Sequence, residues 1–226
     1  MSVQSDLQKL TNKEKAKFLV QYFKTSDIFL GIIVPKQRAI AKKYRDLPLS
    51  DVEQLLHNKI HEYRLTALFI LCDQFKKADE ATRKTIFDFY LSNTQWINNW
   101  DIIDLSARDI IGGWLLDKPE KRKILYTLAR SKSIWERRIA IIATCAFFQK
   151  NDFKDTFAIS EILLHDAHDL IHKAVGWMLR EAGKRDEKAL IDFLAKHYKV
   201  MPRTMLRYAI EKFSAVRRTR YLSGTM

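Results

Sequence analysis

The amino-acid sequence predicts an all-α fold made of repeated helix pairs. Apolar residues recur every three or four positions through most of the 226 residues, which is the spacing of one helix face. Glycine and proline number 6 and 4, and the alternation typical of strands is almost absent. A third observation is that similar helices recur at a nearly constant interval, which indicates stacked repeats.

The N-terminal elements follow from apolar spacing and from proline positions. One or two helices are predicted over residues 7–23, and a loop over residues 29–35. A helix over residues 35–45 is predicted to open at its proline, because proline fits the first turn of a helix. Ser50 is the predicted N-cap of the next helix, in a capping box with Glu53.

From residue 64 onward, five helices begin at nearly even spacing. Their first residues are Arg64, Asp101, Arg138, Lys173 and Arg207, so the steps are 37, 37, 35 and 34 residues. Each step also holds a preceding helix and a short loop. This period predicts a right-handed α-solenoid of the HEAT or armadillo kind, with equivalent helices on one concave basic face. The alternative is a chance match within an all-α chain, and in either case we predict one domain over residues 1–226.

The charge of the chain indicates a polyanionic partner. Lys and Arg number 40 against 27 Asp and Glu, a formal net charge of +13. Such an excess favours nucleic acid, and less specifically a membrane surface; the alternative is a soluble protein that happens to be basic. The longest apolar run, Ile139–Phe148, is about half the length that spans a bilayer, and Met1–Leu10 has no secretory pattern. We expect a monomeric cytoplasmic protein with no membrane contact and no obligate protein partner.

The cysteines and histidines do not indicate a metal site. Cys72 and Cys145 both lie in apolar helical runs and are predicted to be small core residues. His165 and His168 are three residues apart, but no further ligand accompanies them at the spacing of a zinc site. We therefore predict no metal and no cofactor.

Four of the five repeated helices begin with Arg or Lys, whereas the helix predicted from Trp100 to Ile111 carries acidic residues at its start. Its aliphatic residues form a core stripe on a helical wheel, namely Ile102, Ile103, Ala107 and Ile110. Asp101, Asp104 and Arg108 lie on the other side, and Trp100 lies one turn before Asp104. A large ring and a carboxylate are therefore predicted neighbours at the edge of a solvent-facing surface.

A second tryptophan is predicted on the outer face of the helix Ile171–Lys184. Trp177 lies about 130° from the centre of the core face, on the same side as Lys173, Arg180 and Lys184. Large aromatic residues are usually core residues, so a buried Trp177 is the alternative. A tryptophan among cations on an outward face suits contact with a sugar or a base.

Basic residues also fall near predicted helix N-termini. They are Arg137, Arg138, His172, Lys173, Arg203 and Arg207. Cations at such positions oppose the helix dipole, at about 0.3–1 kcal/mol each, but a helix N-terminus with extra positive charge binds phosphate well. A single one is ordinarily a solvated side chain, whereas the series favours a surface that follows a phosphate backbone. The basic run Val216–Arg220 is either a further phosphate contact or a solvated end.

Four groups of residues carry a resemblance to a known family. They are Phe29-Leu30-Gly31-Ile32 with Pro35 and Arg38, Trp100-Asp101 with Asp104, Trp135 with Arg138, and Lys173-Ala174 with Gly176-Trp177 and Leu179-Arg180-Glu181. The ordered set resembles the bacterial alkylpurine DNA glycosylases of the AlkD type, which are DNA alkylation repair proteins built on HEAT-like repeats. The resemblance extends from about Tyr22 to Phe213, and Gly176–Glu181 is its most specific part.

The resemblance implies an enzyme that removes cationic N3- or N7-alkylated purines from double-stranded DNA by cleaving the N-glycosidic bond. It implies that Asp104 is the catalytic carboxylate and that Trp100 and Trp177 flank the deoxyribose of the lesion. Arg138 matches a phosphate-contacting arginine of the active site. Tyr22 matches an aromatic residue near the same cleft.

Charge, helix position and resemblance together predict a set of DNA contacts. They are Tyr22, Lys36, Arg38, Arg64, Arg137, Lys173, Arg180, Lys184, Arg203 and Arg207. Two alternatives stay open at this point, a non-catalytic nucleic-acid-binding solenoid and a protein-interaction scaffold of HEAT repeats. The first has no use for a carboxylate at Asp104, and for the second the positive charge is incidental.

Overall fold

The computed structural model describes residues 2–23, residue 25 and residues 27–226. Across these ranges helices dominate, no strand forms, and an isolated parallel bridge joins Ile28 to Ile60. The predicted all-α class is therefore confirmed. Residue contacts group the chain into two compact units, Met1–Ser106 and Ala107–Met226, which we call the N-terminal unit and the C-terminal unit.

The N-terminal unit is organised around one long helix. Its helices are α1 (Val3–Gln8), α2 (Lys13–Phe23), α3 (Val34–Lys43), α4 (Leu49–Leu56), α5 (His61–Lys77), α6 (Glu80–Ser92) and α7 (Trp100–Ser106). Every residue of α5 from His61 to Cys72 is buried, and α3, α4 and α7 all pack against it. A helix surrounded in this way buries its whole circumference, so its polar residues need partners inside the protein.

The C-terminal unit begins with a π-helical turn and is organised around α12. Its helices are α8 (Gly113–Leu115), α9 (Lys123–Ala129), α10 (Ile134–Ala143), α11 (Lys154–Ile162), α12 (Asp169–Gly183), α13 (Glu187–His197), α14 (Arg203–Ala209) and α15 (Ala215–Ser223). The π-helical turn is Arg108–Gly112, and 3₁₀ turns occupy Pro119–Lys121 and Thr144–Lys150. Helices α10, α11, α13 and α14 all contact α12.

Helices are present at all five predicted repeat positions. Arg64, Asp101, Arg138, Lys173 and Arg207 lie in α5, α7, α10, α12 and α14, and another helix precedes each of these. In the N-terminal unit α3 packs on α5 and α5 on α7; in the C-terminal unit α10 packs on α12 and α12 on α14. This neighbour-to-neighbour packing is what stacked helix pairs require. The superhelical shape and the single-domain organisation stay predictions.

Close packing of α12 on α14 depends on a glycine. A Cβ atom at Gly176 would lie 2.5 Å from the carbonyl oxygen of Met205 and 2.5 Å from the Cβ of Tyr208. Any larger residue would therefore push the two helices apart. The glycine that precedes Trp177 in the sequence thus has a packing role.

A buried carboxylate fixes the segment between α2 and α3. Glu62, which is 1% exposed, accepts hydrogen bonds from the backbone N–H groups of Leu30 at 2.9 Å, Gly31 at 2.8 Å and Ile32 at 3.2 Å. Charge-assisted hydrogen bonds of this kind are about twice as strong as neutral ones. Residues 27–33, which we call the α2–α3 loop, are thereby tied to the first turn of α5.

The same loop lies against the start of α2. Gly31 has φ +79°, and a Cβ atom there would lie 2.1 Å from the carbonyl oxygen of Asn12 and 2.6 Å from the nitrogen of Ala16. The N–H of Asn12 donates to the carbonyl of Leu30 at 2.8 Å. Only glycine fits here, because both the backbone conformation and the space exclude a side chain.

The capping box predicted for α4 is wrong. The helix begins at Leu49, its N-cap is Pro48, and no side chain caps it. Pro48 already has the extended backbone that precedes a helix, with φ −57° and ψ 149°. Ser50 therefore lies inside the first turn instead of before it.

The predicted extent of the helix that starts at Trp100 is also wrong, although its core stripe is confirmed. The α-helix α7 ends at Ser106, and within the C-terminal unit the N–H of Gly112 donates to the carbonyl of Ala107 at 2.9 Å, five residues back. This is the hydrogen bond of a π-helix, which a wheel drawn at 3.6 residues per turn does not anticipate. The four stripe residues are nevertheless fully buried: Ile102, Ile103, Ala107 and Ile110.

The basic run Val216–Arg220 belongs to a helix. It lies within α15, whose Tyr221 is buried and whose N-cap Ser214 accepts a hydrogen bond from the N–H of Arg217. The run is therefore helical, and its two predicted roles, a phosphate contact or a solvated end, both stay predictions.

Two further sequence predictions concern cysteines and membrane spans. Cys72 is buried, Cys145 is half-buried, and the two form no disulfide, so the core placement is confirmed fully for Cys72 and in part for Cys145. In the part of the chain that the structure describes, no helix combines the length and the hydropathy that crossing a bilayer requires.

Gly31→Ala should be far more destabilising than the same change at Gly224. Both glycines have positive φ, +79° and +81°, but a Cβ atom at Gly224 has nothing within 4 Å. Gly224→Ala should lower the free energy of unfolding by about 1 kcal/mol from backbone strain alone, and Gly31→Ala by about 3 kcal/mol or more from strain plus overpacking. Urea unfolding of both variants measures the difference, and equal losses would contradict the packing of the α2–α3 loop on α2.

Candidate functional site

The predicted ring and carboxylate lie together at the start of α7. Trp100 is the first residue of the helix, Asp104 follows one turn later, and both are partly exposed. Ile102 and Ile103 anchor the opposite side in the core of the N-terminal unit. The backbone N–H of Trp100 donates to the side-chain oxygen of Asn99 at 2.8 Å, which fixes the first turn.

Two aromatic residues of α2 contact Trp100. The ring of Phe23 stacks on the indole with centroids 5.2 Å apart and an interplanar angle of 19°. Tyr22 meets the indole edge-on with centroids 6.3 Å apart, and 59% of Tyr22 is exposed. The structure therefore brings the predicted Tyr22 and Trp100 together and adds Phe23, which the sequence analysis did not identify.

A buried ionic cluster lies next to these rings. His61, which is 2% exposed, has Nδ1 at 3.3 Å from Oδ2 of Asp27 and Nε2 at 2.9 Å from Oδ2 of Asp101. Asp27 also accepts from Nη2 of Arg64 at 2.6 Å and from Nδ2 of Asn99 at 3.3 Å. The α2–α3 loop, α5 and the start of α7 are thus joined at one place.

The cluster shifts the titration of two of its members. Burial opposes ionisation of Asp27, but hydrogen bonds from His61, Arg64 and Asn99 outweigh it and hold the pKa of that carboxyl well below its usual range. Burial likewise opposes a charge on His61, but hydrogen bonds to Asp101 and Asp27 raise its pKa to about 8. At neutral pH the cluster is therefore a set of ion pairs.

Four residues of this cluster and loop were not predicted from the sequence, namely Asp27, His61, Glu62 and Asn99. The sequence feature that points to them is the start of α5, where the ionisable residues His61, Glu62 and Arg64 precede a run of buried apolar residues. Ionisable side chains in a stretch of helix that is buried on all sides must find partners inside the protein. That rule identifies the positions but not the partners, because Asp27 lies 37 residues from Arg64 in the chain.

Arg64 does not lie where a DNA contact requires. Its side chain is 4% exposed and pairs with Asp27, so it does not reach the protein surface, where a DNA phosphate would lie. The expected DNA-contact role of Arg64 is therefore corrected to a structural one. Lys36 and Arg38 of α3 are exposed as predicted, and the guanidinium of Arg38 lies 4.1 Å from the ring centre of Phe69.

In the C-terminal unit, both arginines near the start of α10 are engaged by the protein. Arg137 donates from Nε to Asp166 at 2.6 Å and from Nη1 to the carbonyls of Ser131 and Lys132. Its donors are taken by this carboxylate and these carbonyls, so a phosphate contact would require Arg137 to leave them, and the expected role stays a prediction. Arg138 is 5% exposed, and its Nη1 donates to the carbonyl of Leu170 at 2.5 Å.

Trp177 is partly exposed on α12, as the wheel predicted. The cations on the same side are matched by acids: Lys173 pairs with Asp169, Arg180 with Glu181 and Glu211, and Lys184 with Glu181. This face is consequently less positive than the sequence analysis expected. Burial opposes ionisation of Glu181, but Lys184 and Arg180 lower its pKa.

The series of cations at helix N-termini is only partly present. Glu136 lies in the first turn of α10, and α12 begins at Asp169, so Lys173 falls in its second turn. Arg203 is the first residue of α14, and its Nη1 donates to the carbonyl of Leu222 at 2.5 Å. Arg207 is exposed. A local acid therefore offsets the positive charge at two of these helix starts.

Comparison with known proteins finds a matching family model and a similar solved structure. The family model described as DNA alkylation repair enzyme matches residues 3–213. A solved structure described as a predicted DNA alkylation repair enzyme from Enterococcus faecalis is similar with a TM-score of 0.73 and 18% sequence identity, over 91% of this chain and 97% of that chain. At this identity the similarity shows a shared fold alone. Among curated proteins, none matches.

Arg64→Met and Lys36→Met should separate structural from surface cations. Arg64→Met leaves Asp27 buried beside one cation fewer, so it should lower the free energy of unfolding by about 3–5 kcal/mol. Lys36→Met removes an exposed charge, so it should change stability by less than about 0.5 kcal/mol. Urea unfolding measures both, and an Arg64→Met variant as stable as Lys36→Met would restore Arg64 to the surface set.

Proposed function

Because the chain belongs to the DNA alkylation repair enzyme family, we propose that it is a DNA N-glycosylase of base excision repair. Its proposed reaction is hydrolysis of the N-glycosidic bond of cationic N3- or N7-alkylated purines in duplex DNA. The observation that carries the proposal is the position of the Asp104 carboxylate one turn from the Trp100 indole, on the partly exposed side of α7.

Cleavage of this N-glycosidic bond is favoured by one carboxylate near the sugar. An alkylated purine already carries positive charge and leaves as a neutral base, so the leaving group needs no strong acid. The transition state places positive charge on the deoxyribose, as in glycoside cleavage. A carboxylate about 4 Å from that charge gains roughly 4 kcal/mol at an effective dielectric of about 20, on the order of 10³ in rate. In our proposal Asp104 supplies this stabilisation and orients the attacking water.

Aromatic faces complement the cationic sugar. Trp100, with Tyr22 against its edge, offers electron-rich surface beside Asp104, and each ring contributes about 0.5–2 kcal/mol to binding a cation. Phe23 backs the indole and holds it in place. In the C-terminal unit, Trp177 is proposed as a second sugar contact from its resemblance and its partial exposure.

Phosphate contacts are proposed for cations of each unit. Lys36 and Arg38 of the N-terminal unit and Lys184, Arg203 and Arg207 of the C-terminal unit are exposed. Arg137, Lys173 and Arg180 are partly buried and paired with acids, and Arg138, which is 5% exposed, is included from its resemblance. Such contacts fix the register of the duplex and carry no sequence information. When DNA binds, Arg180 and Lys184 must leave the carboxylate of Glu181 and pair with phosphate instead.

We propose that the duplex is recognised through its sugar and backbone more than through an extruded base. The proposed rings and the carboxylate suit contact with a cationic deoxyribose, whereas most glycosylases enclose the base in a pocket. A structure with the damaged base sealed in a protein cavity would contradict this part of the proposal.

The proposed function is tested by release of free base from duplex DNA that contains 7-methylguanine. Asp104→Asn should lower single-turnover release by about 10³-fold, because it removes the negative charge that stabilises the transition state. Its DNA affinity should be unchanged or higher, because a carboxylate repels phosphate. Asp46→Asn is the matched control, since Asp46 is 93% exposed and lies outside the proposed site.

Two outcomes would contradict the proposal. Undiminished release by Asp104→Asn would remove Asp104 from the mechanism. Absence of release by the wild-type chain, with salt-dependent duplex binding, would favour a non-catalytic DNA-binding protein instead; absence of any DNA binding would favour an interaction scaffold.

A further inference from the structure

The buried histidine of the N-terminal unit has no part in the reaction described above. His61 lies in the first turn of α5, is 2% exposed, and has a carboxylate oxygen at each ring nitrogen, 3.3 Å away for Asp27 and 2.9 Å for Asp101. A neutral imidazole has one N–H and one lone pair. The lone pair would then face a carboxylate oxygen, so this geometry favours the doubly protonated ring.

The charges around the ring come from each element packed against it. Asp27 lies on the α2–α3 loop, Asp101 on α7 and Arg64 on α5 itself. Two aromatic rings also contact the imidazole, with the centroid of Phe23 at 5.2 Å and that of Phe29 at 4.7 Å, at interplanar angles of 44° and 32°. The two carboxylates outweigh the arginine, so a positive charge on His61 balances the cluster.

This cluster is connected to the candidate site by two short paths. Asp101 follows Trp100, and its Oδ1 accepts the N–H of Ile102 in the first turn of α7. Phe23 lies between His61 and Trp100, with ring centroids 5.2 Å from each. Loss of the proton from His61 would therefore weaken its hold on the Asp101 carboxylate. It would also change the contact of His61 with Phe23, the ring on which the Trp100 indole stacks.

We propose that His61, as an imidazolium held between Asp27 and Asp101, is a positioning residue that sets the first turn of α7 and thereby the Trp100 indole and the Asp104 carboxylate. The part of this proposal that concerns catalysis rests on the proposed function. The part that concerns Trp100 does not, because it is a property of the folded chain alone.

The first test uses the intact wild-type protein and NMR. The ring signal of His61 should titrate with a midpoint near pH 8, and the indole N–H signal of Trp100, assigned with Trp100→Phe, should shift with the same midpoint. A Trp100 signal that stays constant while His61 titrates would overturn the proposal, whether or not the protein releases any base.

Stability against pH is the second measurement. Because the folded pKa of His61 is raised to about 8, the stabilisation is complete below the ordinary histidine value and is lost as pH rises through about 8. The wild-type midpoint in urea should therefore fall as pH rises from about 6.5 to about 8, and His61→Gln should lack this fall. His165→Gln, at an exposed histidine, should retain it. An identical fall in His61→Gln would overturn the proposal.

Base release is the third measurement. His61→Gln should slow single-turnover release of 7-methylguanine by about tenfold or more, with the Kd for duplex DNA within about twofold, because the reacting groups and not the phosphate contacts are displaced. His165→Gln should release at the wild-type rate. Wild-type rates in a folded His61→Gln variant would overturn the proposal. Absence of release from the wild-type chain would instead count against the proposed function, and the NMR and urea results would still decide the role of His61.

Discussion

The buried start of α5 is the constraint on which the N-terminal unit depends. His61, Glu62 and Arg64 are ionisable, and each is at most 3% exposed. Buried charges are tolerated only when they are paired and hydrogen-bonded, so each of these residues draws another segment of the chain towards it. Glu62 gathers the backbone of the α2–α3 loop, Arg64 holds Asp27, and His61 links Asp27 to Asp101.

The candidate site follows from these pairings. The α2–α3 loop carries Gly31 against the start of α2, and the other end of α2 presents Tyr22 and Phe23 to Trp100. Asp101 fixes the first turn of α7, in which Asp104 lies one turn after Trp100. A polar network inside an apolar unit thus determines where a partly exposed ring and carboxylate stand. Such a network is costly when incomplete, which is why single changes within it are informative.

The sequence predicted much of this and failed in specific places. Periodicity found the all-α class, and the wheel found the buried side of α7 and the partly exposed Trp177, because these depend on residues within one helix. Charge and position along the helix assigned Arg64 and Arg137 to a DNA-contact surface, whereas Asp27 and Asp166 pair with them from 37 and 29 residues away. Local spacing shows which way a side chain leaves its own helix, but it does not show which segment covers it. The wheel placed Asp104 beside Trp100, and the resemblance supplied its expected catalytic role and Tyr22. Contact between Tyr22 and Trp100 depends on tertiary structure, which spacing alone does not contain.

The most direct test of the central claim is a crystal structure of the full chain bound to duplex DNA that carries a cationic pyrrolidine in place of one deoxyribose. The pyrrolidine nitrogen imitates the charge of the proposed transition state. The account predicts that this nitrogen lies within about 4 Å of a carboxylate oxygen of Asp104, the separation at which the attraction is worth roughly 4 kcal/mol, with the Trp100 indole against the sugar mimic. A complex in which the cation binds elsewhere, with Asp104 turned to solvent or to the interior, would contradict it.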